Sequence, residues 1–144
     1  MDDAHKEIAG ELARAVIARD YEAACGLFAS WLRETTPPER FRELVEERLG
    51  EMMQYAGCEE LTYPVDFEVD GNSSTIDQLR EHRSYAPDRP IPGEITGENF
   101  RKWLCIQFLA GDDVDIDAWF DFWAIVVEEN GRLALGYFEL EEPD

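Results

Sequence analysis

Lysine is almost missing from this chain: Lys6 and Lys102 are the only two in 144 residues. The positive charge rests on arginine, and 13 basic residues face 33 acidic ones for a formal net charge of -20. A nucleic-acid duplex or an anionic membrane would repel such a surface, which argues against both as partners. Cysteine is scarce and unpatterned. Cys25, Cys58 and Cys105 are odd in number, show no C-x-x-C spacing, and read as reduced thiols. No apolar run follows the opening MDDAHKEIAG and no stretch approaches the length of a membrane span. The expectation is a cytoplasmic chain without a signal peptide. Histidine is limited to His5 and His82, too few for a histidine-rich metal site. G-x-S-x-G, H-E-x-x-H, a phosphate-cradling glycine loop and a dinucleotide fingerprint are all lacking, so no cofactor is expected. The run GDDVDIDA places Asp113, Asp115 and Asp117 at alternate positions, as in a calcium loop. Ala118 and Ala124 stand where that loop needs its glycine and closing glutamate, so the run reads as a solvated acidic turn and no metal is expected.

What is present fits one α+β domain spanning residues 1–144, with helices over about 4–57 and a sheet over about 60–141. Hydrophobic residues make up 44% of the chain and aromatics 12%, enough for a single core. Ile8, Leu12 and Val16, with Ala9, Ala13 and Ile17 beside them, form the apolar stripe of a first helix. Asp20 reads as the cap of a second helix carrying Ala24, Leu27, Phe28 and Trp31. In TTPPERF, Thr36 is placed to cap, Pro37 to take the first helical position and Glu39 to close a capping box. Phe41, Leu44, Val45, Leu49, Met52 and Ala56 carry that third helix to a stop at Gly57. The period then changes. Tyr63, Val65, Phe67 and Val69 alternate with polar residues up to Asp70-Gly71, and Pro64 makes this an edge strand. STIDQLREHR is helix or strand, APDRPIPGEITG is loop chemistry, and FRKWLCIQFLA is a long strand. Asn130-Gly131 between two apolar runs is a type I′ hairpin signal. A two-residue loop pairs Glu129 with Arg132, Trp123 with Phe138, Asp121 with Leu140 and Ile125 with Gly136, unless a bulge intervenes.

Three segments carry a family resemblance: DYEAACGLFASWL, TTPPERFRELVEERLGEM and WFDFWAIVVEENGRLALGYFEL. Helices followed by a curved antiparallel sheet that ends in a long aromatic hairpin resemble the nuclear transport factor two-like superfamily. Its members include ketosteroid isomerases, polyketide cyclases, scytalone dehydratases and non-enzymatic binding proteins. The resemblance implies a cystatin-like cone, with helices and sheet enclosing a pocket, and a sheet that often pairs with a second copy.

Asp121 lies between Trp119, Phe120, Phe122 and Trp123 in the most hydrophobic strand. A carboxyl group among Trp119, Trp123 and Phe138 would be poorly hydrated, which raises its pKa towards proton-transfer values. Asp121 is therefore the candidate acid-base residue, and Trp103, Trp119, Trp123, Phe138 and His82 are the candidate pocket residues. A carboxylate satisfied by the backbone or by Arg101 is the plainer alternative. The other face of the hairpin, with Phe120, Phe122, Leu135 and Tyr137, is too apolar for open water and suggests a homodimer interface. Three functions fit. The leading one is a non-enzymatic binding domain for a small apolar ligand or a protein. The others are an isomerase, cyclase or dehydratase using Asp121, and an acidic immunity-type inhibitor of a basic protein. The acidity fits salt adaptation, a codon preference for arginine, or a basic partner.

Overall fold

Ile8, Ala9, Leu12, Ala13 and Val16 repeat at the spacing of one helix face, and that face is buried in α1 (Asp3–Ile17). The computed structural model describes residues 3–56, 62–72, 75–83, 91–109 and 118–141. Asp20 caps α2 (Tyr21–Cys25) by accepting a hydrogen bond from Ala23 N at 3.2 Å. The expected second helix is broken in two. Leu27 to Ala29 run along β4 (Arg132–Glu141) before α3 (Ser30–Thr35) begins. Leu135 N donates to Leu27 O at 2.8 Å, and Ala29 N donates to Leu135 O at 2.7 Å. Phe28 is thereby anchored in the core instead of riding on a helix surface.

The helix start in TTPPERF lies one residue later than the sequence suggests. Thr36 closes α3, donating its N–H to Leu32 O, and its side chain is buried. The second proline takes the first helical position of α4 (Pro38–Ala56), and Pro37 O accepts from Phe41 N at 2.9 Å. Phe41, Val45, Leu49 and Met52 form the buried face of α4. Gly57 and Cys58 lie outside the described residues.

β1 (Asp66–Asn72), β2 (Phe100–Leu109), β3 (Ala118–Glu129) and β4 form one antiparallel sheet in the order β1-β2-β3-β4. β1 is an edge strand as Pro64 suggests, but it begins after that proline and runs on through Gly71 to Asn72. Val65, expected inside, is 62% exposed although its N–H bonds Leu109 O, while Tyr63 and Pro64 before it are buried. The hairpin forms at Asn130 and Gly131, whose φ values of 54° and 83° are the positive ones a type I′ turn needs. α5 (Ile76–Arg83) resolves the ambiguous segment as a helix. Its start is a capping box: Gln78 N donates to Thr75 Oγ1 and Thr75 N donates to Gln78 Oε1.

The sheet has a core on each face. Helices α1 to α4 cover Leu104, Ile106, Phe108, Phe120, Phe122, Ala124, Val126 and Leu135, all buried. Here Phe122 stacks on Phe138 at 5.2 Å between ring centroids, with Phe41 edge-on to both. Full burial of Phe41 and of Phe122 stabilises the fold by about 1.5–3 kcal/mol each. On the opposite face α5 and Ile91 to Ile95 cover only one end, over Ile125, Val127 and Ala134. The other end of that face carries half-buried Cys105, Gln107, Asp121 and Trp123. Among the described residues no helix is long and apolar enough to cross a membrane.

Candidate functional site

The hairpin begins in the expected register, Glu129 opposite Arg132 and Val127 opposite Ala134. Between Val126 and Ile125 the partner jumps from Leu135 to Tyr137, leaving Gly136 as a one-residue bulge. Leu135 spends both backbone groups on Leu27 and Ala29, while Gly136 O accepts from Trp31 Nε1 at 2.8 Å. Glycine is required here by close approach: a Cβ would lie 3.0 Å from both Trp31 Cζ2 and Val127 Cγ1. Beyond the bulge every side chain of β4 changes face.

That one residue rearranges the expected site. Phe138, assigned to the Asp121 face, turns inward to pair with Ala124 and stack on Phe122. Tyr137 and Glu139 move the other way, opposite Ile125 and Trp123. The structure does bring Trp103 and Trp123 together, with ring centroids 4.7 Å apart. Trp119 and His82 belong to β3 and α5, and their side chains lie outside the described set. Asp121 is half-buried, with Gln107 of β2 and Glu141 of β4 as its cross-strand partners. The Asp113, Asp115 and Asp117 run also lies outside the described residues. Among those described, no cluster of histidine, cysteine and carboxylate side chains fits a metal ion.

The aromatic pair is packed. A cavity of about 20 Å³ remains between Leu79, Ile91, Trp103, Trp123, Ile125, Tyr137 and Glu139. That is room for about one water molecule. Glu139, which the sequence pattern puts on the opposite face, is buried on this one and accepts a hydrogen bond from Tyr137 Oη at 2.6 Å. Asp121 is absent from the walls of this cavity. Three of the four proposed interface residues, Phe120, Phe122 and Leu135, are fully buried under the chain's own helices. The apolar face that seemed to require a second copy already has its cover. Tyr137, the fourth, lies half-buried on the opposite face.

A larger concavity lies where α3 and α4 pass the end of β4. It measures about 790 Å³, within the range of ligand-binding clefts. Leu32, Leu44, Phe138 and Leu140 supply an apolar floor, Glu47, Arg48 and Glu51 form the polar rim, and the buried Glu139 adjoins it. Arg48 fixes the geometry, since its guanidinium donates to Leu140 O at 3.0 Å and to Glu51 Oε2 at 2.7 Å. The sequence does hold a signal for this groove. Leu44, Arg48 and Glu51 share an i, i+4, i+7 stripe beside the buried Phe41, Val45 and Leu49 line, but the periodicity alone only widens the apolar face.

Away from the groove, Tyr21 and Tyr63 share a hydrogen bond between their hydroxyls, and Tyr63 Oη donates to Glu46 Oε2 at 3.1 Å. Arg42 pairs with Glu46, and Arg19 lies over the Tyr63 ring at 4.2 Å. Burial, foremost, lifts both phenols above their ordinary range, so they stay protonated and act as a clasp between α2, α4 and the approach to β1. Burial likewise pushes the Cys25 thiol up to about 11. Comparison with protein-family models, with curated proteins and with solved structures returned no match.

Proposed function

We propose that this chain is a non-enzymatic binding domain whose groove between α3, α4 and β4 receives a basic protein segment bearing an apolar side chain. The observation that carries this reading is the pairing of an apolar floor, Leu44, Phe138 and Leu140, with a rim holding Glu47 and Glu51. The formal charge of -20 adds long-range attraction for a cationic partner. An immunity-type inhibitor of a basic protein is the concrete form of the idea. A small apolar ligand has less support, because the enclosed space beside Trp103 and Trp123 is only about 20 Å³. The acid-base enzyme has less again, since Asp121 lines neither that cavity nor the groove. The order of helices before a four-stranded antiparallel sheet supports membership of the nuclear transport factor two-like superfamily, which stands as part of the same proposal.

A cationic amphipathic peptide of alternating arginine and leucine, titrated calorimetrically, tests the groove. Saturable binding that weakens as salt is raised is the expected result. Leu44→Asp, at a half-buried position, removes roughly 2 kcal/mol of apolar contact and weakens binding about thirtyfold. Equal binding by the folded variant, or equal binding of a neutral apolar peptide at every salt concentration, overturns the proposal.

A further inference from the structure

Both lysines of this acidic chain meet at one place. Lys6, in the first turn of α1, and Lys102, on β2, line a cavity of about 190 Å³ together with His5, Val69, Gly71 and Leu104. Neither lysine forms an ion pair among the described residues. His5 is half-buried, and its Nδ1 is enclosed by the protein without a hydrogen-bond partner. In a chain with 33 carboxylates, both lysines line one cavity beside a histidine whose Nδ1 is unpartnered.

The backbone is shaped for this convergence. The β2–β3 register shifts between Phe100 and Lys102, and Arg101 is the extra residue. Without that bulge Lys102 would stand opposite Ile125 on the far face. With it, Lys102 pairs with Val126 and joins Leu104 on the side facing α1. The Lys102 side chain then crosses β1 at Gly71, where a Cβ would come within 2.9 Å of Lys102 Cε. Glu68 and Asp70, the neighbouring acids on β1, alternate to the other face of the sheet, and among the described residues no carboxylate lines the cavity.

We propose that this cavity is a binding site for a small oxyanion of the phosphate class, held by Lys6, Lys102 and His5. It is separate from the groove and independent of the function proposed for it. The net charge of -20 lowers non-specific anion binding, which keeps the background of the test small.

The experiment is a titration of the isotopically labelled protein with inorganic phosphate, at ionic strength held constant with sodium chloride, followed by NMR. Saturable shifts in the His5 ring and in the Gly71 and Lys102 amides, in the millimolar range, are expected. Lys102→Ala removes one charge-assisted contact and weakens binding roughly tenfold or more. Gly71→Ala displaces the flexible end of Lys102 without a forbidden backbone angle, and gives the same loss with the fold intact. Lys102→Arg retains binding. A parallel titration with O-phosphoserine distinguishes the source, and saturation by either anion supports the site. Absence of saturation by both anions overturns it, as do unchanged shifts in both Lys102→Ala and Gly71→Ala.

Discussion

A Cβ placed on Gly136 would lie 3.0 Å from Trp31 Cζ2, 3.0 Å from Val127 Cγ1 and 3.2 Å from Ile95 Cδ1. Two of those neighbours belong to packed regions that cannot yield freely, so the methyl group must displace α3 or the sheet. Gly136→Ala is expected to destabilise the fold by about 1–3 kcal/mol, the cost of overpacking, read as a lower urea midpoint with an unchanged slope. The same residue explains why the carboxylates of the site were only half legible in the sequence. Counting back from Asn130-Gly131 gives the correct pairs as far as Val126, then fails by one. Glycine inside a strand is a known mark of a bulge, yet the pattern cannot say whether it bulges or merely weakens the strand. Asp121 therefore stands on the face expected for it, while Glu139 and Phe138 exchange faces.

At the scale of elements, the long sheet strands, the first helix and the long fourth helix follow directly from their apolar periods. The broken second helix does not, because its break is made by a distant partner. Leu27 to Ala29 leave the helix to bond with Leu135, more than a hundred residues later in the chain. Ala29 then stands at the start of α3 with no side chain to cap it. Glu129 supplies that cap from the end of β3: its carboxylate accepts from Ser30 N at 3.0 Å and from Ser30 Oγ at 2.5 Å. These bonds, chiefly the one from the Ser30 hydroxyl, hold the Glu129 carboxyl below its ordinary pKa. A lowered folded pKa means stability that is present above the ordinary value of 4.5 and lost as pH falls through the folded one. Glu129→Ala is expected to cost about 1 kcal/mol at neutral pH, as a lost cap does. The difference from wild type should shrink in acid, and chemical denaturation at pH 7 and pH 3 checks both statements.

Across the whole molecule, repulsion among 33 acidic side chains opposes the two cores. The arginine pairs on α4, Arg40 with Glu43 and Arg42 with Glu46, are exposed or partly exposed and recover little of that cost. Raising salt from about 0.01 M to about 1 M shortens the screening length from roughly 30 Å to roughly 3 Å, which mutes repulsion while sparing the buried contacts. The thermal midpoint should therefore rise with sodium chloride, and a flat or falling midpoint would mean that attractive pairs dominate the surface. The charge was readable from composition alone, whereas the two lysines gained meaning only when the fold placed Lys6 and Lys102 along one cavity.

The stitch between Leu27–Ala29 and Leu135 also fixes an order of events during synthesis. A ribosome finishes α1 to α4 long before β3 and β4 exist, so Phe28 and Phe41 have no Phe122 or Phe138 to pack against. The helical half must wait as an unfinished nascent chain, its apolar stripe open to chaperones, until the β3–β4 hairpin emerges and bonds Leu27 and Ala29.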